Sequence, residues 1–77
     1  MMKHQLLERI TIDPDVCSGS ACIRNMRMRV CDVLSLLANG ASNEEILSDY
    51  PFLELKDIHA ALFYAAKELE KTNSAST

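Results

Sequence analysis

The hydrophobic period of this chain changes at Val30, and that change restricts what it can fold into. Before it, Arg9-Ile10-Thr11-Ile12 is a β-branched run stopped by Asp13-Pro14-Asp15. Proline cannot donate to a strand ladder and aspartate favours turns, so a strand is expected to end there. Cys17 to Ser20 supplies loop residues, and Ala21-Cys22-Ile23-Arg24 reads as a second short strand. Asn25 follows, one of the few residues that tolerates positive φ. These features predict a hairpin arm over residues 9–29.

From Val30 onward the spacing is helical. Val30, Val33, Leu34 and Leu37 fall at i, i+3, i+4 and i+7, and Gly40 stands where a helix C′ glycine belongs. Ser42-Asn43-Glu44-Glu45 matches the S-x-x-E capping box, opening a helix whose apolar side is Ile46, Leu47 and Tyr50 before Pro51. A third helix is expected from Leu55 to Glu70, with Leu55, Ile58, Leu62, Ala65 and Leu69 as its core stripe. The expectation is a mainly α protein: a trihelical helix-turn-helix core (about 30–39, 43–50 and 55–70) carrying a short N-terminal β-hairpin arm. One domain would cover 9–70, between a flexible stretch 1–8 and a disordered tail 71–77. The turn before the third helix should send Phe52 or Leu53 into the core.

A chain of 77 residues builds one small core, and chains of this size usually gain stability from a disulfide, a metal or a second subunit. Cys17, Cys22 and Cys31 are an odd set, and Met1 to Arg9 shows no apolar leader core. No run approaches the roughly 18 apolar residues of a membrane span. The chain therefore reads as cytoplasmic, with reduced thiols and no membrane association. The third helix is apolar nearly all round across Ala60-Ala61-Leu62-Phe63-Tyr64-Ala65-Ala66. Helices of that kind are usually covered all round, which predicts a homodimer meeting through Ala60, Phe63 and Tyr64. The competing reading leaves Tyr64 lying on its own domain with its hydroxyl in water.

The net charge of −3 is unevenly spread. Five basic residues outnumber three acids in 1–31, whereas eight acids face three lysines in 32–77. Catalysis is not expected, because, of the only two histidines, His4 falls in the terminal stretch and His59 at the edge of the third helix's apolar stripe, where it reads as a satisfied, partly buried side chain. The acids around the second and third helix starts are accounted for by the helix dipole. Cys17 and Cys22, with Cys31 and His59, form one loose pair rather than the two tight pairs of a structural zinc site. Cys31 reads as a small core residue. No cofactor is implied. For nucleic acid, Arg24, Arg27 and Arg29 of the arm suit phosphate contacts, joined by Lys56 at the start of the third helix. Arg24 has an equal alternative, pairing with Asp13 or Asp15 to hold the arm in place.

The order of motifs resembles a small prokaryotic family, the domain of unknown function numbered 433. The resemblance rests on Arg9 to Pro14, Gly19, Cys22-Ile23-Arg24, Arg27 and Val30 with its leucines. Glu44-Glu45-Ile46-Leu47, Asp49-Tyr50-Pro51, Leu53 and Asp57-Ile58 complete it. It covers residues 9 to about 66. It departs at Ser20-Ala21, where the family commonly has lysine and proline, and at Asn25-Met26, where glycine and threonine are usual. Arg29 replaces a proline before the first helix, and Glu54 replaces a threonine cap. The resemblance implies a homeodomain-like fold and an antitoxin role: binding and silencing a PIN-like nuclease toxin from a neighbouring gene, and repressing the shared promoter DNA. Glu44, Glu45, Asp49 and Asp57 would then form the acidic surface facing the toxin. The runner-up functions are a stand-alone DNA-binding regulator and a structural interaction module.

Overall fold

The computed structural model describes the backbone of residues 2–76 and the side chains of 5–17 and 19–71. The order of elements is α1 (Met2–Leu7), β1 (Ile10–Asp13), β2 (Val16–Ile23), α2 (Val30–Ala38), α3 (Asn43–Asp49) and α4 (Leu55–Ser76). The expected mainly α architecture is overturned: the protein is a mixed α/β fold with four helices and a β layer. The strands pair antiparallel, Ile10 with Ile23, Thr11 with Cys22 and Ile12 with Ala21. The next pair is Asp13 with Val16, so Cys17 to Ser20 bulge out of β2 without partners in β1. Cys17 (φ 53) and Gly19 (φ 82) make that excursion in left-handed conformations. An isolated bridge between Cys22 and Arg29 adds the rudiment of a third strand.

The hairpin is part of the core rather than an arm beside it. Ile23 is fully buried in the central cluster, and Ile10 and Ala21 pack against its edge. Alternation along the strands directs Ile10, Ala21 and Ile23 inward on one face; Ile12 shares that face but, at the end of the paired stretch beside the bulge, stands 64% exposed. α1 occupies residues read as a flexible N-terminus, and α4 runs through Ser76. The side chains of His4 and of most of the tail, residues 72–77, lie outside the described residues.

The local helix signals act as the sequence suggests. The Glu45 N–H donates to Ser42 Oγ at 3.1 Å, and the Ser42 N–H donates to Glu45 Oε1 at 2.8 Å, a reciprocal capping box. Gly40 takes φ 98, donates to Leu37 O at 3.0 Å, and lets Ala41 donate to Leu36 O at 3.0 Å. Those two bonds form the Schellman ending of α2. Leu53 rather than Phe52 enters the core, at 5% against 47% exposed. Cys31 is exposed, since Val30 and Val33 supply the buried side of α2.

α4 is turned by about a quarter turn from the expected stripe of Leu55, Ile58, Leu62, Ala65 and Leu69, of which Ile58 is buried as expected. Asp57, Ile58, Ala60 and Ala61 are buried, whereas Leu55, Leu62 and Leu69 stand 44%, 46% and 61% exposed. Both sides of the helix are apolar, so hydrophobic pattern alone does not choose between them. The alanine side allows the close helix approach that bulky leucines prevent, because interaxial distance depends on the side chains at the contact. Truncating Ile58 to alanine is expected to cost about 3 kcal/mol in denaturant unfolding, as for a buried aliphatic. Ile12→Ala, at an exposed position near the end of the hairpin, should stay within about 0.5 kcal/mol of the parent.

Candidate functional site

Asp57 is the one buried charged residue among those described, with no exposed surface. It sits in the first turn of α4, where its Oδ2 accepts the Glu54 N–H at 2.8 Å and so caps the helix. Arg24 approaches it in a fork, Nε to Oδ1 at 3.0 Å and Nη2 to Oδ2 at 2.6 Å. Arg9 Nη1 donates to Oδ1 at 2.9 Å and to Glu54 Oε1 at 2.7 Å. Arg24 Nη2 also reaches the Phe52 carbonyl at 3.1 Å, tying the turn before α4 to the same point. Both carboxylate oxygens are therefore fully engaged.

The backbone that delivers Arg24 is unusual. Arg24 (φ 46), Asn25 (φ 56) and Arg27 (φ 60) are all left-handed. Asn25 behaves as its residue type suggests, whereas each arginine in that region carries strain of order 1 kcal/mol or more. The Asn25 N–H donates to Thr11 Oγ1 at 2.9 Å, and hydrogen bonds from Met26 to Ile23 and from Ile23 to Met28, both 2.8 Å, close the turn. The Arg24 N–H meets the Arg9 carbonyl at 2.8 Å, which brings the two arginines to the same carboxylate.

Burial pushes the Asp57 carboxyl up, but hydrogen bonds from Arg24, from the Glu54 N–H and from Arg9 outweigh it and hold the group below the ordinary carboxylate range. Hydrogen bonds to Glu54 and Asp57 raise Arg9, and the bond to Asp57 raises Arg24. Asp32 is likewise lowered, chiefly by its hydrogen bond from Arg29.

Beside this clasp, α1 and the start of α4 enclose an open groove of about 740 Å³, lined by Gln5, Leu6, Glu8, Arg9, Arg24, Leu55, Lys56 and His59. A smaller depression of about 370 Å³ lies at the bulge, among Cys17, Ser20, Arg27 and Arg29. The sulfurs of Cys17 and Cys22 are brought into disulfide contact across the bulge, their Cα atoms 6.7 Å apart. The expectation of reduced thiols had no access to that proximity, which arises only from the bulge. Among the described residues no three His, Cys, Asp or Glu side chains gather as a metal group.

The residues singled out from the sequence are distributed as follows. Arg27 and Lys56 are exposed, Arg29 is exposed but paired with Asp32 at 2.9 Å, and Arg24 is committed to Asp57 rather than to Asp13 or Asp15. Glu44, Glu45 and Asp49 are exposed together on α3. Asp57 is not on that surface, because its two arginines hold it inside. Ala60 is buried within its own protomer, Tyr64 packs against the core with part of its side chain accessible, and Phe63 is partly exposed, with Lys67 Nζ 5.6 Å from its ring centre. Arg9 was missed altogether, and its only signal was a basic residue flanking a β-branched run.

The fold and its clasp define a class: a small α/β module in which a β-hairpin is fastened to the first turn of the longest helix by two arginines on one buried aspartate. The chain belongs to the DUF433 family, described as protein of unknown function, whose model matches residues 10–65. It is similar to the crystal structure of a DUF433 member protein from Anabaena variabilis, with a TM-score of 0.77 and 35% identity over 94% of this chain and 71% of that one. It is also 36% identical over 58 residues to the uncharacterized protein y4eO of Sinorhizobium fredii. That match takes in 75% of this chain but only 26% of the relative, so the chain spans about a quarter of that protein's length.

Because Asp57 ionises more readily folded than unfolded, it stabilises the fold above the unfolded carboxylate value of about 4, and that contribution is lost as pH falls through its lower folded value. Asp57→Asn should cost about 3 kcal/mol at neutral pH, since it leaves two arginines facing a neutral amide. It should also flatten the loss of stability below about pH 4. Urea midpoints measured from pH 7 to pH 2.5 check both.

Proposed function

We propose that this chain is a non-enzymatic, antitoxin-like binding protein that lays the acidic face of α3 into the positive RNA groove of a PIN-like nuclease from a neighbouring gene. The reading places it in the cytoplasm, with its target. The observation that carries it is the charge of this face. Glu44, Glu45 and Asp49 are exposed on one short helix, and no lysine or arginine occurs between Arg29 and Lys56. A groove that handles RNA is lined with positive charge, and an acidic helix competes for it while gaining in association rate and specificity. Glu45 also serves the α3 cap, so Glu44 and Asp49 are the cleaner probes.

The test is co-expression with the adjacent open reading frame through a tag on this chain. Co-elution with a neighbour that cleaves RNA only when separated supports the reading. Glu44→Lys with Asp49→Lys should weaken that complex at least about tenfold, as like charges brought together do, and restore RNA cleavage. Unchanged inhibition by the double variant would overturn the acidic-face mechanism.

A second reading, a DNA-binding regulator acting on the shared promoter, is favoured by one feature. Arg27 is exposed beside Arg29 at the depression of the bulge, and no ion pair holds it among the described residues. Arg27→Ala should then weaken binding to a promoter fragment and reduce the slope of log affinity against log salt by about 1. A salt series by fluorescence anisotropy measures it, and an unaltered slope removes Arg27 from the interface.

A further inference from the structure

The outward face of α4 is built to be covered. Leu55, His59, Leu62, Ala66 and Leu69 are all exposed, and their spacing alternates four and three residues. That is the a/d rhythm of a coiled-coil seam, with leucine at every d position. It lies across the helix from the buried Ala60 and Ala61, and Leu6 of α1 borders only its N-terminal end, across the groove. Leu55 and Leu69 are about 21 Å apart along the axis, four helical turns.

We propose that this seam is the interface of a homodimer in which the α4 helices of two copies pack antiparallel. Three observations select a second copy as the occupant. First, the seam reads alike from either end, with Leu62 midway between Leu55 and Leu69, as an isologous two-fold contact requires. Secondly, its ends are complementary in shape. At the N-terminal end, Leu55 and His59 form one wall of the 740 Å³ groove, with Leu6 of α1 opposite. At the other end Leu69 projects with 61% of its surface exposed. Antiparallel pairing centred near Leu62 brings Leu69 of each copy to the groove of the other. Thirdly, the charges agree: Lys56 flanks one end of the seam and Glu70 the other, at positions that face each other in antiparallel pairs. Parallel pairing sets Lys56 near its own counterpart. The expected dimer through Ala60, Phe63 and Tyr64 thereby gives way to one on another side of the same helix, with Phe63 at its border.

Sedimentation equilibrium of the full chain at micromolar concentration should give a dimer, and Leu62→Glu should raise its dissociation constant about thirtyfold or more, as for a central anchor. Circular dichroism on the variant must match the parent, since Leu62 lies outside the core. To read orientation, Leu55→Cys and Leu69→Cys protomers, each also carrying Cys31→Ser, are mixed and oxidised. Cross-links between positions 55 and 69 are expected. A monomeric parent, or a dimer untouched by Leu62→Glu, would overturn the proposal. Cross-links joining 55 to 55 and 69 to 69 would refute the antiparallel arrangement.

Discussion

Asp57 sets the geometry of this protein. A carboxylate without contact with water is tolerable only if its oxygens are satisfied, and here Arg9, Arg24 and the Glu54 amide satisfy them. The three donors come from the start of the hairpin, the turn after it and the first residue before α4. Such a cluster need not add net stability over a well-packed apolar substitute, because desolvation offsets much of the attraction. What it does add is a single permitted arrangement. The hairpin must stand where both arginines reach the first turn of α4, and α4 must turn Asp57 inward. The left-handed conformation of Arg24 is the local cost of that alignment.

The rotation of α4 follows from the same constraint. With Asp57 inside, Ile58, Ala60 and Ala61 are carried in with it at about 100° per residue, and the leucines at 55, 62 and 69 are carried out. A buried acid therefore decides which of two apolar faces becomes core and which becomes surface. The consequence is a row of large exposed side chains on the longest helix of a chain with a small core. That combination makes the helix surface, rather than a cavity, the prominent feature of the fold.

The parts legible in the sequence are those governed by neighbours in the chain. Ser42 with Glu45, Gly40 after α2, the left-handed Asn25 and the burial of a residue in the Phe52–Leu53 turn each depend on a few adjacent residues. The parts that escaped depend on distant partners. α1 is too short for its periodicity to register. The hairpin looked like an appendage because its pairing skips four residues, which hides the inward alternation of Ile10, Ala21 and Ile23. The α4 stripe was read by size, and leucine outweighs alanine on any hydropathy pattern. Asp57 looked like one more first-turn acid complementing the helix dipole, and nothing near it in sequence announces Arg9 or Arg24, which lie 48 and 33 residues away. The family resemblance supplied the right relatives, whereas the trihelical expectation, drawn from the helical spacing and repeated by the resemblance, missed the β layer.

This arrangement leaves two surfaces of different character, the acids of α3 and the leucines of α4. Ile46 of α3 and Ile58 of α4 share the core, while the acids of α3 and the leucines of α4 are exposed on separate helices. In the proposed reading a partner would be held by charge at α3 and a second copy by apolar contact at α4. They also differ in physical character: the first weakens as salt screens it, and the second, being apolar, does not. A dimer formed along α4 would present two acidic faces at its outer ends. Two such faces carried by one body engage a dimeric target with an effective concentration that neither has alone. The clasp at Asp57, by fixing the rotation of α4, is what leaves its leucines exposed, and the proposed dimer depends on it.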